Sequence, residues 1–283
     1  MNANLTCVGV LREPAHSPGR VDDDAAIMRR VSEVLAERGF KVQLITADAL
    51  MEQPAANLFV MCERAAVLDR LSEMEKTGAI VVNAPAAIRN TYRHRMIELF
   101  ARHGVSAPKS WVVATDGKTP RPADAAWVKR YDFHATQTDD VIYAASEAGW
   151  RDALSRFAER GIPFVTAQAH VGGDLVKFYG VRSGTGSKDA NWFQWFYHRD
   201  KGMLGHAFDP ARLSEAGHGA AAALGLEVFG GDAVITPDGQ PMIIDLNAWP
   251  SYALYRDRAA QAIADCLTDR FQRRPRLVAS ARN

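Results

Sequence analysis

The fold of this 283-residue chain can be inferred from one segment, residues 230–247. It reads Gly-Gly-Asp-Ala-Val-Ile-Thr-Pro-Asp-Gly-Gln-Pro-Met-Ile-Ile-Asp-Leu-Asn. Two apolar runs flank Asp238-Gly239, a dipeptide typical of the two-residue turn of a β-hairpin. Facing residues of a hairpin centred there have numbers that sum to 477, as 238 and 239 do, so Asp232 is predicted to face Asp245. Asn247 lies two residues further along and points to the same face.

Asp232 and Asp245 would carry like charges directly opposite each other, which destabilises a sheet unless something neutralises them. Two carboxylates and the amide oxygen of Asn247 are hard ligands that suit Mg²⁺, which binds few protein groups and keeps positions for water or phosphate. The arrangement therefore indicates a metal site. The alternative is a solvated hairpin face whose acids bind no metal.

The composition argues against several classes of protein. The net charge is +1 and the pI is near 7.8, without the basic stripe of a nucleic-acid-binding or membrane-surface protein. No apolar run approaches the ~20 residues of a membrane span, and Arg12-Glu13 closes the first apolar run too early for a signal peptide. Three widely spaced cysteines indicate free thiols in a reducing cytoplasm. We expect a cytoplasmic monomer or homodimer with a small-molecule substrate and no nucleic-acid or membrane partner.

Strands and helices alternate over about the first 84 residues. The predicted strands cover residues 5–11, 41–45, 58–62 and 79–82, and the helices between them carry apolar residues at helical spacing. This alternation predicts a parallel α/β unit. Loops at the carboxyl ends of parallel strands bind ligands, so Arg12 is a candidate substrate residue. The alternative is a mobile polar loop.

The sequence Leu-Gly-Leu-Glu-Val-Phe-Gly-Gly-Asp232, followed by Ile-Ile-Asp245-Leu-Asn247-Ala-Trp-Pro-Ser251-Tyr, resembles the C-terminal metal motif of the ATP-grasp superfamily. The resemblance implies that Asp232, Asp245 and Asn247 hold Mg²⁺, with Mn²⁺ as the alternative, on the phosphates of ATP. It covers roughly residues 83–267. The implied fold is α/β (α+β), with a Rossmann-like pre-ATP-grasp unit followed by a two-lobed ATP-grasp fold.

The implied domains are the N-terminal unit at 1–84, a central lobe with the adenine hinge at 85–180, and a C-terminal lobe with the metal hairpin at 181–283. The resemblance also assigns cofactor-binding roles in the central lobe. Lys129 and Arg93 occupy the positions of two phosphate-binding lysines, although Arg93 keeps the charge and not the shape of Lys. The remaining nucleotide contacts are the adenine hinge and the ribose acid, at Gln168, Ala169, Val171 and Asp174.

Further candidates come from the kinase-like members of the superfamily. Lys177 matches a strand lysine that reaches ATP or substrate, and His134 lies in a glycine-free segment that resembles the His-Gly-Thr-x-Ser segment of inositol 1,3,4-trisphosphate 5/6-kinases. With Lys129, these two are the catalytic candidates. Arg199 and Ser251 join Arg12 as substrate candidates. For Arg93, His134 and Lys177, the alternative is a solvated side chain.

The resemblance implies transfer of the γ-phosphoryl group of Mg-ATP, and three functions remain open. In most of the superfamily, as in glutathione synthase and D-alanine–D-alanine ligase, a carboxylate becomes an acyl phosphate that an amine attacks. The His134 segment favours a small-molecule, inositol-phosphate-like kinase, although a polyphosphate substrate needs clustered basic residues that this chain lacks. Arg93 and the missing glycine loop favour a non-catalytic nucleotide-binding module. We expect the ligase.

Overall fold

A computed structural model of the chain describes residues 5–52, 55–132, 137–186, 191–198 and 202–272. Their strands form three four-stranded sheets. Within these ranges, none of the helices combines the length and the hydropathy that a bilayer span requires. Cys7, Cys62 and Cys266 are buried free thiols, as predicted.

The N-terminal sheet is parallel and has the strand order β2-β1-β3-β4. This confirms the predicted α/β unit. The first turn of its first helix is rich in Asp, whose charge suits the positive end of the helix dipole. The elements are β1 (Thr6–Val10), α1 (Val21–Glu37), β2 (Lys41–Ile45), α2 (Ala47–Leu50), β3 (Asn57–Val60), α3 (Ala65–Lys76) and β4 (Ile80–Val82).

The helical spacing of Ile88, Tyr92, Met96, Leu99 and Phe100 predicts one helix here, but the chain forms two. α4 (Pro85–Asn90) ends before Thr91, and α5 (Arg93–His103) begins after Tyr92, whose backbone is extended. The break makes Arg93 the first residue of α5. Gly104, at φ 66°, then ends the helix in the left-handed conformation that glycine adopts readily.

The central sheet is antiparallel, with the strand order β5-β8-β6-β7. One helix covers one of its faces with apolar residues that include Trp150, Leu154 and Phe157. The other face is turned toward the C-terminal sheet through Lys129 and Gln168. The elements are β5 (Ser110–Ala114), β6 (Ala126–Arg130), β7 (Val141–Ala144), α6 (Glu147–Glu159) and β8 (Phe164–Ala169).

The C-terminal sheet is antiparallel, with the strand order β10-β9-β11-β12. Because β9 pairs in this sheet, the sheet begins at Asp174, before the predicted boundary at residue 180. The last helix, α8, packs on α1 of the N-terminal unit. The elements are β9 (Asp174–Val181), β10 (Trp192–Tyr197), α7 (Pro210–Leu224), β11 (Val228–Ile235), β12 (Pro241–Ala248) and α8 (Arg256–Gln272).

The β11–β12 hairpin pairs Asp232 with Asp245, as predicted, but its turn differs from the prediction. Near the turn Ile235 faces Pro241, so facing numbers sum to 476. The Thr236 N–H donates to the Gln240 carbonyl, which leaves a loop of three residues, 237–239, with Gly239 at φ 77°. A β-bulge beside Asp232 then shifts the register by one residue and restores the sum of 477. The predicted pairing is confirmed, and the predicted two-residue turn is wrong.

Candidate active site

One face of the C-terminal sheet carries a row of four residues, one from each strand. Phe196, Lys177, Asp232 and Asp245 are successive register partners. Lys177 Nζ lies 2.9 Å from Asp232 Oδ1. The repulsion predicted between the two carboxylates is therefore opposed by a neighbouring cation, whose side chain is 37% exposed and so is also in contact with solvent.

Arg93 supplies the second cation of this row. Its Nη2 donates to Asp245 Oδ2 at 3.2 Å, and its Nη1 donates to the Arg130 carbonyl at 3.0 Å. The Arg93 side chain is 3% exposed, so the solvated alternative is wrong for this residue. The planar guanidinium joins α5, β6 and β12 through two nitrogens held in a fixed geometry, whereas an ammonium would have to reach both acceptors from one nitrogen.

The β-bulge places a carbonyl where the two antiparallel sheets meet. Ile244, the unpaired residue of the bulge, accepts from Lys129 Nζ at 3.3 Å and from Gln168 Nε2 at 3.2 Å. Lys129 Nζ also donates to Gln168 Oε1 at 2.7 Å. The bulge thus positions Lys129 and Gln168 of the central sheet against the strand that carries Asp245.

Lys129 is a buried ammonium group whose direct partners are neutral oxygens. Burial lowers its pKa to about 8, with Arg93 acting in the same direction and with Asp245 and Asp232 opposing. Among the described residues no carboxylate is in ion-pair contact with it. Because its folded-state pKa still lies above neutrality, Lys129 is mostly protonated at pH 7 and suits an anionic ligand.

The residues after β8 connect the central sheet to the C-terminal sheet. The Ala169 N–H donates to the Lys109 carbonyl at 2.8 Å, and the His170 N–H donates to the Ala125 carbonyl at 2.9 Å. Val171 follows and leads through two glycines into β9. The geometry therefore fits a connection between two lobes, while the adenine-binding role of Gln168, Ala169 and Val171 stays a prediction.

Asp174 has a different role from the predicted contact with ribose. Its side chain is fully buried, and its two oxygens accept the N–H groups of Leu204 and His206. Burial acts to raise the pKa of Asp174, but these N–H groups outweigh burial and lower it. The carboxylate therefore holds the segment 202–209 and offers no oxygen to ribose hydroxyls in this geometry.

A cavity of about 590 Å³ lies between the N-terminal unit and the C-terminal sheet. It brings together five of the predicted site residues, which come from both parts of the chain. They are Arg12, Lys177, Asp232, Asn247 and Ser251. Predicted candidates His134 and Arg199 lie outside the described residues.

Arg12 lines this cavity, but its guanidinium is already in use. It donates to the carbonyls of Trp249 and Ala248 at 2.7 and 3.2 Å, donates to Glu63, and lies 3.2 Å from Asp24 Oδ2. Arg12 therefore joins the N-terminal unit to the chain just after Asn247. Glu63 was not predicted from the sequence, although it comes directly after a parallel strand, where ligand-binding loops lie.

The predicted metal ligands fit a hard cation. Among the described residues, no three His, Cys, Asp or Glu side chains are grouped to hold a metal, and the predicted set has only two carboxylates beside Asn247. Asp232 Oδ1 is buried and accepts no hydrogen bond there, since the Lys177 contact lacks hydrogen-bond geometry. A carboxylate oxygen held by an ion-pair contact alone is a suitable ligand for Mg²⁺, which would take the place of the Lys177 ammonium.

No family model and no curated protein matches this chain. Solved structures do match over nearly its whole length. A RimK domain ATP-grasp protein from Sphaerobacter thermophilus is 18% identical with a TM-score of 0.68, covering 93% of this chain and 99% of its own. D-alanyl-alanine synthetase A from Vibrio cholerae is 10% identical with a TM-score of 0.70, covering 96% and 100%.

D-alanine–D-alanine ligase from Bacillus anthracis, solved in complex with ATP, is 11% identical with a TM-score of 0.63, covering 95% of this chain and 97% of its own. Such identities are too low to transfer a substrate or a reaction. The TM-scores and the coverage of both chains show a shared fold. The chain therefore has the ATP-grasp fold.

Proposed function

We propose that this protein is an ATP-dependent carboxylate–amine ligase. The observation that carries the proposal is the position of two cations beside the Asp232–Asp245 pair, where the central and C-terminal sheets join. Arg93 donates to Asp245, and Lys129 donates to the carbonyl of the adjacent Ile244. The structural neighbours include ligases that join amino acids, one of them bound to ATP. We further propose that it acts on small molecules, in the cytoplasm, as a monomer or homodimer.

The reaction has two steps. A carboxylate oxygen of the first substrate attacks the γ-phosphorus of ATP, the bond to the β–γ bridging oxygen breaks, and ADP leaves. An amine then attacks the carbonyl carbon, and phosphate departs with the former carboxylate oxygen while the amine proton passes to solvent. Because phosphoryl transfer requires mainly positioning and charge stabilisation, fixed cations are the groups that such a site needs.

Lys129 supplies one such cation. It is buried, mostly protonated at neutral pH, and held by Gln168 and Ile244 without a carboxylate in direct contact. Arg93 supplies the other and also fixes Asp245. Asp232, Asp245 and Asn247 would hold Mg²⁺, with Mn²⁺ as the alternative, and a bound ion there would neutralise charge on phosphate oxygens.

The fate of the γ-phosphoryl group distinguishes the three functions. The protein is incubated with Mg²⁺, γ-labelled ATP, hydroxylamine and a metabolite extract. A ligase releases the label as inorganic phosphate and forms a hydroxamate. A kinase would leave the label in an acid-stable small molecule, and a binding module would turn over no ATP, and either result would refute the proposal.

Variants connect the activity to this site. Asp245→Asn removes one carboxylate of the hairpin pair and should abolish label release. Asp116→Asn, in an exposed position outside the site, serves as the matched control and should behave like the unmodified protein. Equal activity in both variants would mean that the measured reaction does not use the Asp232–Asp245 pair.

A further inference from the structure

The cavity described above has an aromatic wall, which we define as Tyr179, Phe196 and Leu254. The Tyr179 and Phe196 rings lie 5.3 Å apart between centroids. Tyr255 contacts both rings, at 6.4 and 6.2 Å, and supports them. Leu254 lines the same cavity and is 46% exposed. This wall is apolar, fixed in position and open to the cavity.

Apart from its contacts with Tyr179 and Tyr255, Phe196 is not packed into a hydrophobic core. The alternate β10 residues Phe193, Trp195 and Tyr197 pack against a hydrophobic core on the opposite face of the sheet. Phe196 belongs to none of the hydrophobic core clusters formed by the described residues, and it faces the cavity. A large ring lining a cavity beside a candidate active site is a suitable contact for a ligand.

The register of the sheet fixes the distance from this wall to the candidate phosphoryl-transfer site. Phe196 pairs with Lys177, which pairs with Asp232, so two strand spacings, about 10 Å, separate Phe196 from Asp232. A molecule whose carboxylate lies beside Asp232 and whose other end contacts Phe196 must span this distance. A cavity of about 590 Å³ has room for a molecule of that size.

The cations that line the cavity have acidic neighbours. Arg12 is occupied by Glu63, Asp24 and two backbone carbonyls. Lys177 is paired with Asp232, and Arg20 lies 3.7 Å from Asp23. His16 and His198 add polar groups to the cavity, and the aromatic wall supplies its apolar contact for the far end of a substrate.

Resting on the proposed ligase function, we propose that the carboxylate substrate carries an aromatic or comparably flat apolar group about 10 Å from its carboxylate, and that this group packs on the aromatic wall. Phe196 and Tyr179 are then specificity-determining residues. A single small amino acid is too short to contact both ends of this site.

A hydroxamate assay with hydroxylamine as the only amine tests this without knowledge of the natural amine. The acids are N-acetylated phenylalanyl-glycine, leucyl-glycine and alanyl-glycine, with N-acetylglycine as the short acid. We expect kcat/KM to be about tenfold or more higher for the phenylalanyl acid than for the alanyl acid. Equal or higher values for the alanyl acid would overturn the substrate proposal and leave the ligase function intact, whereas no hydroxamate from any acid would overturn both.

Variants provide a second readout. Phe196→Ala should bring the phenylalanyl-to-alanyl ratio of kcat/KM close to one through KM, Phe196→Leu should retain part of it, and the affinity for ATP should stay unchanged. Met51→Ala, an exposed apolar residue of the N-terminal unit, should keep the full ratio. A purely structural role for Phe196 would lower the melting temperature and slow all acids equally, and that result would contradict the proposal.

Discussion

Lys129 combines burial with a charge, and this makes its protonation sensitive to pH near neutrality. Its pKa of about 8 results first from burial, with Arg93 lowering it and the carboxylates of Asp245 and Asp232 raising it. Bound phosphates favour the protonated form. We therefore predict that the affinity for ATP, measured calorimetrically without an acceptor, falls as the pH rises through about 8.

Lys129→Arg provides the control, because arginine keeps its charge over this range and should flatten the pH dependence. An identical fall in this variant would show that another group titrates. For the protein without ATP, pH has the opposite effect on the free energy of unfolding. Between about 8 and 10.5 the unfolded chain retains a proton that folded Lys129 has lost, so this group makes the free energy of unfolding rise with pH.

Arg93 tests whether the shape of a cation matters at this site. Arg93→Lys keeps the charge but has a single nitrogen in place of Nη1 and Nη2, so it cannot occupy both positions from which Arg93 contacts Asp245 and the Arg130 carbonyl. We predict a loss of ~1–3 kcal/mol in the free energy of unfolding, measured with urea. Arg95→Lys, exposed on the same helix, should change it by less than about 0.5 kcal/mol. Equal effects would remove the argument for a fixed fork.

At the scale of elements, Asp174 anchors the segment 202–209 to the start of β9. Asp174→Asn replaces one acceptor oxygen with an N–H₂ group that faces a backbone donor. We predict a loss of ~1–3 kcal/mol in the free energy of unfolding and no change in the preference for ATP over 2′-deoxy-ATP. Unchanged stability with lost preference would restore the predicted contact with ribose.

The hairpin shows what sequence patterns can and cannot predict for an element. The pairing of Asp232 with Asp245 followed from the turn dipeptide, but a three-residue turn and a bulge at Ile244 produced it. These two deviations cancel in the numbering. The bulge was invisible because it depends on contacts with Lys129 and Gln168, which come from a distant part of the chain.

Helix continuity shows the same limit. The apolar spacing from Ile88 to Phe100 predicted one helix, whereas the chain is extended at Tyr92 and begins α5 at Arg93. The spacing of apolar residues indicates which face of a helix is buried. It does not reveal a local break in the helix when the residues on both sides of the break bury the same face. Asp174 begins β9, but its hydrogen-bond partners, which no local pattern indicates, lie some thirty residues further along the chain.

At the scale of the whole molecule, Arg12 joins the N-terminal unit to the chain after the metal-motif strand. Removing its charge in Arg12→Met leaves Glu63 and Asp24 without their shared cation. We predict a loss of ~3–5 kcal/mol in the free energy of unfolding, since removing one partner of a buried ion pair is costly even though His16 stays near Glu63 and Ser17 still donates to Asp24. The double variant Arg12→Met with Glu63→Gln should recover part of this loss.

Arg38→Met is the matched control for this experiment. Arg38 also joins α1 to α8 through an ion pair, but its partner Asp265 is well exposed. Such pairs contribute about 0–1 kcal/mol, so this variant should lose little stability. If both single variants lose the same amount, the contribution of Arg12 does not arise from burying Glu63 and Asp24.

The overall fold was predictable because one long motif and one α/β alternation were both specific, and the three sheets confirm them. The boundary between the central and C-terminal lobes was harder to predict from the sequence. β9 follows β8 closely along the chain, but it pairs with β10 and β11 of the other sheet. The contact of Glu63 with Arg12 was not predicted, because it arises only when the parts of the chain pack together.

The most direct test of the central claim follows the oxygen atoms. A carboxylic acid that gives a hydroxamate is labelled with ¹⁸O in its carboxylate and turned over with Mg-ATP and an amine, and the released phosphate is examined by mass spectrometry. An acyl-phosphate ligase transfers one labelled oxygen from the carboxylate to phosphate for each amide formed. Unlabelled phosphate, with all the ¹⁸O retained in the product or lost to water, would contradict the account.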